Sequence, residues 1–206
     1  MSARRGEVVA HAGARSSGLY ELVSGSCKSV LATRSGLEYV AGFHLAGDVI
    51  GVHGIFGAPQ DATIVALEDS VLRVATVESA QRLAARSEPF LCDLWRLMTQ
   101  EIARQRELTL VLSVMRAEQR LAWFLLDLAA RYGANGCSSS AFTLRGTREE
   151  IGSNLGVTQE TVSRLFRRFH REGVVQVRGR AVKVLDRDAL RDLVDDTLGD
   201  RDDVPN

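Results

Sequence analysis

From Val8 to about Val77, apolar and polar positions alternate in short, β-branched runs: "GLYELVSGSCKSVLAT", "LEYVAGFHLAGDVIGV" and "ATIVALEDSVLRVAT". Glycines fall between the runs, at Gly25, Gly36, Gly42, Gly47, Gly51, Gly54 and Gly57. A period of two with turn residues at this spacing predicts many short antiparallel strands closed into a barrel or roll. From about Pro89 to Met115 the period becomes helical, and no Gly or Pro interrupts "FLCDLWRLMTQEIARQRELTLVLSVM". One stripe of this long helix steps by three and four through Trp95, Met98, Ile102, Gln105, Thr109 and Leu112, while Leu94, Leu97, Leu108 and Val111 crowd a neighbouring face. Two apolar faces suggest two partners, the roll for one and a second copy of the helix for the other, as in a coiled-coil seam. A single wide core face within a monomer is the other reading of the same stripe. Gln105 is neutral and Glu101 lies off the stripe, so two copies meeting across a two-fold axis do not repel one another there.

After a short break near Arg116, "AEQRLAWFLLDLAARYG" predicts a second amphipathic helix ending at Gly133, followed by the turn-rich "ANGCSSSA" and a short extended "FTL". In "TREEIGSNLGVTQETVSRLFRRF", Thr147 with Glu150 three residues on caps a short helix, Gly156 makes a tight turn, and Thr158 caps a further helix to about Arg171. That is a helix-turn-helix, with Ile151, Leu155, Val157, Val162, Leu165 and Phe169 fixing the angle between its helices. "VVQVRGRAVKVLD" then predicts two strands about a turn at Gly179.

The formal net charge is zero, but the charge is not evenly spread. Thr143 to Lys183 holds nine Arg or Lys against four Glu, a net of +5, whereas Asp186 to Asp203 holds eight Asp against three Arg. The basic segment coincides with the helix-turn-helix, where it suits a polyanion. Residues three and four apart share a helix face, so Glu160, Ser163 and Arg164 form one patch near the start of the second helix. A guanidinium can bond guanine O6 and N7 together, a carboxylate can accept from cytosine N4, and a hydroxyl can serve a base or a phosphate. Thr158 and Thr161 at the head of that helix, Arg167, Arg168 and Arg171 along it, and Arg178, Arg180 and Lys183 on the hairpin are expected to hold phosphates.

A glycine-punctuated roll, a long helix and a winged helix-turn-helix, in that order, resemble the bacterial CRP/FNR family of transcription regulators almost end to end. The resemblance is carried by "SGLYELVSGSCKSV", "AGFHLAGDVIG", "MRAEQRLAWFLLDLAARY" and "EEIGSNLGVTQETVSRLFRRF". "GFHLAGD" and the E-T-V-S-R pattern point to the FNR branch. It implies an α+β fold: a cyclic-nucleotide-binding-like antiparallel β-roll over residues 1–88, a dimerisation helix over 89–116 and a winged helix-turn-helix over 117–196, with an acidic tail over 197–206. It further implies a homodimer reading inverted TTGAT-like half-sites in double-stranded DNA, with base contacts from Glu160, Ser163 and Arg164. RNA polymerase is an expected partner, through "GVHGIFGAPQ". Two copies about a two-fold axis place their reading helices about one DNA turn apart, which makes the site a palindrome.

The family's sensing chemistries each leave residues to look for. Cyclic-nucleotide binders carry a Glu and a following Arg for the cyclic phosphate; here Val52 stands at the Glu position, and no Arg lies between Val52 and Leu72, so cyclic AMP is not expected. An iron-sulfur cluster needs about four thiolates. The chain has Cys27, Cys92 and Cys137, far apart, and Arg73 stands where the branch places a ligand. The first strand begins close to the first residue, so a truncated or mis-assigned start and a lost cluster both remain open. No cluster and no metal are expected. Haem could draw on His11, His44 or His53, and a redox role could draw on the three thiols. The expectation is a DNA-binding regulator without a cofactor. The alternative is a sensor of haem or another small molecule whose winged helix serves protein contacts. No nucleophile with its base, phosphate loop or metal cluster suggests an enzyme. No apolar run approaches the roughly 18 residues needed to span a bilayer, and "MSARRGEVVAHAG" lacks a signal's apolar core, so a cytoplasmic protein with no membrane partner is expected.

Overall fold

The computed structural model describes residues 1–15 and 17–198, apart from the side chains of His53 and residues 196–198. Positions 199–206, most of the expected acidic tail, lie outside the described residues. The chain divides into two compact units, residues 1–106 and 107–206.

In the first unit, eight strands form two antiparallel four-stranded sheets. One runs β1 (Ser2–Ala3), β8 (Ser70–Thr76), β3 (Gly18–Ser24), β6 (Val49–Ile50); the other runs β2 (Val8–Ala10), β7 (Thr63–Ala66), β4 (Ser26–Ala32), β5 (Glu38–Leu45). Inward positions of both sheets, among them Tyr20, Leu22, Ile50 and Leu72 from one and Cys27, Ile64 and Ala66 from the other, make one core cluster, as the alternating pattern requires. A 3-10 helix (Val52–Phe56) and a short helix, α1 (Val77–Ala84), complete the roll, and neither was expected from the sequence. The Thr76 hydroxyl at the head of α1 accepts from the Ser79 N–H at 3.2 Å, and α1 buries Ala80 beside Leu19, Val52, Ile55 and Leu94.

The long helix, α2 (Glu88–Val114), has the expected extent to within one residue. The boundary between the two units falls inside it, after Arg106, and not at its ends. Leu94 packs fully against the roll, with Phe90, Leu97 and Met98 beside it, while Leu108 and Val111 are buried past the boundary.

In the second unit, α3 (Ala117–Ala134) follows the break at Arg116, whose N–H donates to Gln119 Oε1 at 2.8 Å. Gly133 does not end this helix. It lies inside it, and the chain turns at Gly136, whose φ of 73° belongs to the left-handed region that glycine tolerates. Strands β9 (Ala141–Thr143), β10 (Val175–Arg178) and β11 (Ala181–Val184) form an antiparallel sheet in the order β10-β11-β9. Between β9 and β10 lie α4 (Arg148–Leu155) and α5 (Gln159–Arg171), and α6 (Arg187–Leu198) closes the described chain. Helix α6 was not expected from the sequence, where its aspartates mask the apolar spacing; Leu190 and Val194, four apart, are buried in the unit.

Candidate nucleic-acid interface

The helix-turn-helix is set by local chemistry at each corner. Thr147 Oγ1 accepts from the Glu150 N–H at 3.1 Å, and Glu150 Oε2 accepts from the Thr147 N–H at 2.6 Å, closing a capping box at the start of α4. Gly156, at φ 63°, ends α4, and the Val157 N–H donates to Gly152 O at 2.9 Å. A Cβ on Gly152 would sit 2.6 Å from Val157 O, so the turn closes only over a glycine there. Thr158 Oγ1 accepts from the Thr161 N–H at 3.2 Å and starts α5.

Helix α5 buries Val162, Leu165, Phe166 and Phe169 and exposes Glu160, Arg164, Arg167 and Arg171 on its other side, with Ser163 half-buried between the faces. Its last turn carries Arg168, His170 and Arg171, cations suited to the negative end of a helix dipole. On the same side, a groove of about 760 Å³ runs between the first turn of α3 and α5. Arg116, Arg164, Arg167, Arg168 and Arg171 line it, with Glu118 as its acidic member. Arg116 is a residue that the sequence reading missed: it sits at the helix break, remote in the chain from the other arginines.

The arginines are not equivalent. Arg168 pairs with Glu118 through Nη1 and with Glu172 through Nε at 2.9 Å. The Glu172 hydrogen bond first, then the charge of Glu118, raises its pKa above the usual arginine value. Among the described residues Arg167 donates only to Ser163 O, at 3.3 Å. Arg148, counted in the basic segment, lies 3.6 Å over the Phe166 ring, and burial lowers its pKa. On the hairpin Arg178, Arg180 and Lys183 are exposed, and Arg180 reaches back to Arg145 O at 3.4 Å. Thr158 and Thr161 bond to one another at 3.2 Å, so both hydroxyls help to start α5.

A further arginine holds the unit together. Arg120 on α3 donates through Nε to Met115 O at 2.9 Å, through Nη2 to Leu112 O at 2.9 Å and through Nη1 to Leu155 O at 3.0 Å. The last carbonyls of α2 and α4 thus end on one guanidinium.

The expected seam residues divide into two groups. Trp95 and Ile102 are 66% and 51% exposed, and Gln105 and Thr109 are exposed with them. Met98 is half-buried against the roll core, and Leu112 is half-buried. The outward stripe is therefore narrower than the sequence suggests, because Met98 serves the chain's own core.

The three thiols have different surroundings. Cys27 is fully buried in the roll core, and burial pushes its pKa up to about 11; Cys92 and Cys137 are exposed, one in each unit. Arg73 pairs with Glu21 at 2.6 Å. Among the described residues no group of three or more His, Cys, Asp or Glu is placed to hold a metal ion. Of the haem candidates, His44 Nε2 bonds Ser29 Oγ at 3.2 Å, His11 is exposed, and the His53 side chain lies outside the described residues. No described helix is long and apolar enough to cross a membrane.

Comparison with known proteins agrees with this architecture. Residues 119–193 match the Crp-like helix-turn-helix domain, and residues 1–87 match the cyclic nucleotide-binding domain. The chain is 42% identical over 176 residues to the transcriptional regulatory protein btr of Bordetella pertussis, covering 85% of this chain and 73% of that protein. It is 36% identical over 194 residues to the fumarate and nitrate reduction regulatory protein of Escherichia coli, covering 94% and 78%. The structure of FixK2 from Bradyrhizobium japonicum superposes with a TM-score of 0.85 at 27% identity, covering 94% of this chain and 95% of that one. Both curated relatives are named as regulators and not as enzymes. The chain belongs to the CRP/FNR family of DNA-binding transcription regulators.

Proposed function

We propose that two copies of this chain bind an inverted repeat of TTGAT-like half-sites as a homodimer, with α5 of each copy in the major groove. Glu160, Ser163 and Arg164 read base edges. Arg116, Arg167, Arg171, Arg178, Arg180 and Lys183 fix the register on phosphates, Arg168 joins them by exchanging a carboxylate for a phosphate, and Thr158 and Thr161 present the head of the helix. Trp95, Ile102, Gln105 and Thr109 form the seam, with Met98 and Leu112 at its margins. Residues 1–88 form the sensor-like roll, 89–116 the dimerisation helix and 117–196 the reading domain. The loop after β6, through Phe56, is the surface offered to RNA polymerase.

The observation that carries the reading is the two-sided character of α5. Four apolar side chains fix one face in the unit, and Glu160 and Arg164 stand on the other, beside a groove lined by five arginines. A helix merely solvated by its charges needs neither the capped turn that aims it nor a concave basic wall.

Fluorescence anisotropy tests the proposal, with the full chain titrated against a TTGAT palindrome and a scrambled duplex at two salt concentrations. The palindrome is expected to bind more tightly by on the order of 10³, with affinity falling steeply with salt. Equal affinity for the two duplexes overturns the sequence reading, and the winged helix is then a surface for protein contacts.

A further inference from the structure

The five arginines that line the groove beside α5 do not bring equal charge to it. Among the described residues Arg116, Arg164, Arg167 and Arg171 are paired with no carboxylate, whereas Arg168 meets two, Glu118 through Nη1 and Glu172 through Nε at 2.9 Å. The place of Arg168 is therefore net negative, one guanidinium against two carboxylates, in a wall otherwise suited to a polyanion.

The two acids differ in origin. Glu172 stands four residues after Arg168, at the end of α5 itself, so that pair is local and travels with the helix. Glu118 comes from the first turn of α3, 50 residues away in the chain. Of the two, only Glu118 lies in the wall of the groove.

A guanidinium offers a two-pronged ligand two edges, Nη1 with Nη2 and Nε with Nη2. On Arg168 one donor of each edge is taken, and Nη2 has no partner among the described residues. A phosphate that grips Arg168 by two prongs from within the groove needs the Nη1–Nη2 edge, and so must take the place of the Glu118 carboxylate. Once displaced, that carboxylate remains in the first turn of α3, where the positive end of the helix dipole favours it. The exchange therefore moves a charge without stranding it.

We propose that Glu118 is a built-in stand-in for a DNA phosphate: it occupies Arg168 until a duplex displaces it, and so sets how tightly the groove holds any duplex, whatever its sequence. The inference rests on the reading of the groove as a DNA interface, and not on the TTGAT half-site. Non-specific affinity comes almost wholly from phosphates neutralised by cations. An acid that must be displaced first subtracts from that affinity, and by cancelling one positive charge in the groove it makes the salt dependence shallower.

Anisotropy titrations of the full chain on the palindrome and on the scrambled duplex test this, with Glu118→Gln, Arg168→Ala and the double variant compared over a range of salt. Glutamine keeps the shape of the side chain and removes its charge. Glu118→Gln is expected to raise affinity by at least about threefold on both duplexes, and to steepen the slope of log affinity against log salt by about 0.9. In the Arg168→Ala background the same change is expected to gain less, because the carboxylate there repels the duplex but holds no guanidinium. A tie whose only work is to fasten α3 to α5 gives the opposite result, with affinity and melting temperature falling together. Unchanged or lowered affinity, an unchanged salt slope, a gain confined to one duplex, or an equal gain with and without Arg168 each overturns the proposal. Glu118→Ala keeps the test decisive if Glu118→Gln does not fold. Equal binding of the two duplexes by the wild type overturns the sequence reading alone, since the gain is expected on both.

Discussion

Arg164 and Arg168 lie about one helical turn apart on α5 and meet different fates. Arg164 is exposed beside the groove, whereas Arg168 is already held between Glu118 and Glu172. A free guanidinium can adopt the two-pronged geometry that a guanine edge requires, and a clamped one must first give up its carboxylates. Arg164→Ala is therefore expected to cost about 1–3 kcal/mol at one base pair of the half-site. Competition titrations against duplexes changed one pair at a time check this; a uniform loss across all duplexes would make Arg164 a phosphate contact instead. At the other end of the chain, Cys27 titrates inside the roll core with a pKa of about 11, against 9.0 for an ordinary thiol. Below pH 9 folded and unfolded chains both hold the proton, so the thiol's burial carries no pH-dependent cost. Above pH 9 the unfolded chain ionises first, and stability falls until the pH reaches about 11, by on the order of 2 kcal/mol. Urea titrations at pH 8.5 and 10.5 are expected to show this loss in the wild type and a smaller one in Cys27→Ala.

At the scale of elements, the helix-turn-helix was legible because its signals are local. Thr147, Glu150, Gly156 and Thr158 each act within four residues of their own position, and each does in the structure what its place in the sequence implies. Gly152 carried no such signal, since its role depends on Val157 O folding back over it. Gly152→Ala is expected to destabilise the chain by about 1–3 kcal/mol, through a clash that forces the turn open. Thermal melting measures the loss, and DNA affinity is expected to fall with it. Other elements were misread for equally physical reasons. Helix α1 follows β8 without a Gly or Pro between them, and α6 carries enough Asp to resemble a solvated tail. Gly133 resembles a stop signal, and the helix runs one residue past it before the chain turns at Gly136. Of the site, the exposed face of α5 was legible. The groove was not, because Arg116 joins it from 48 residues before Arg164 in the numbering, and neither was the Arg168–Glu118 pair, 50 residues apart.

At the scale of the whole molecule, the exposed stripe of α2 is where the proposed dimer is tested. Trp95 and Ile102 hold large apolar surfaces in water on a helix that buries Leu94, Leu108 and Val111 along another line. Trp95→Glu is expected to weaken self-association by about 1.5–3 kcal/mol per copy, and sedimentation equilibrium measures it. A wild-type chain that stays monomeric at micromolar concentration sinks the seam. The helix-turn-helix must also be held at a fixed attitude to the end of α2, and Arg120 does this with three carbonyls on one planar group. Arg120→Lys keeps the charge but cannot span all three, and it is expected to cost about 2–4 kcal/mol in denaturant unfolding. A planar fork shared by two helix ends joins them through one rigid group. Two of its bonds belong to the end of α2 and one to α4, so whether a rotation of the last turn of α2 reaches α4 hangs on the single Nη1 bond to Leu155 O, the coupling pin of the joint.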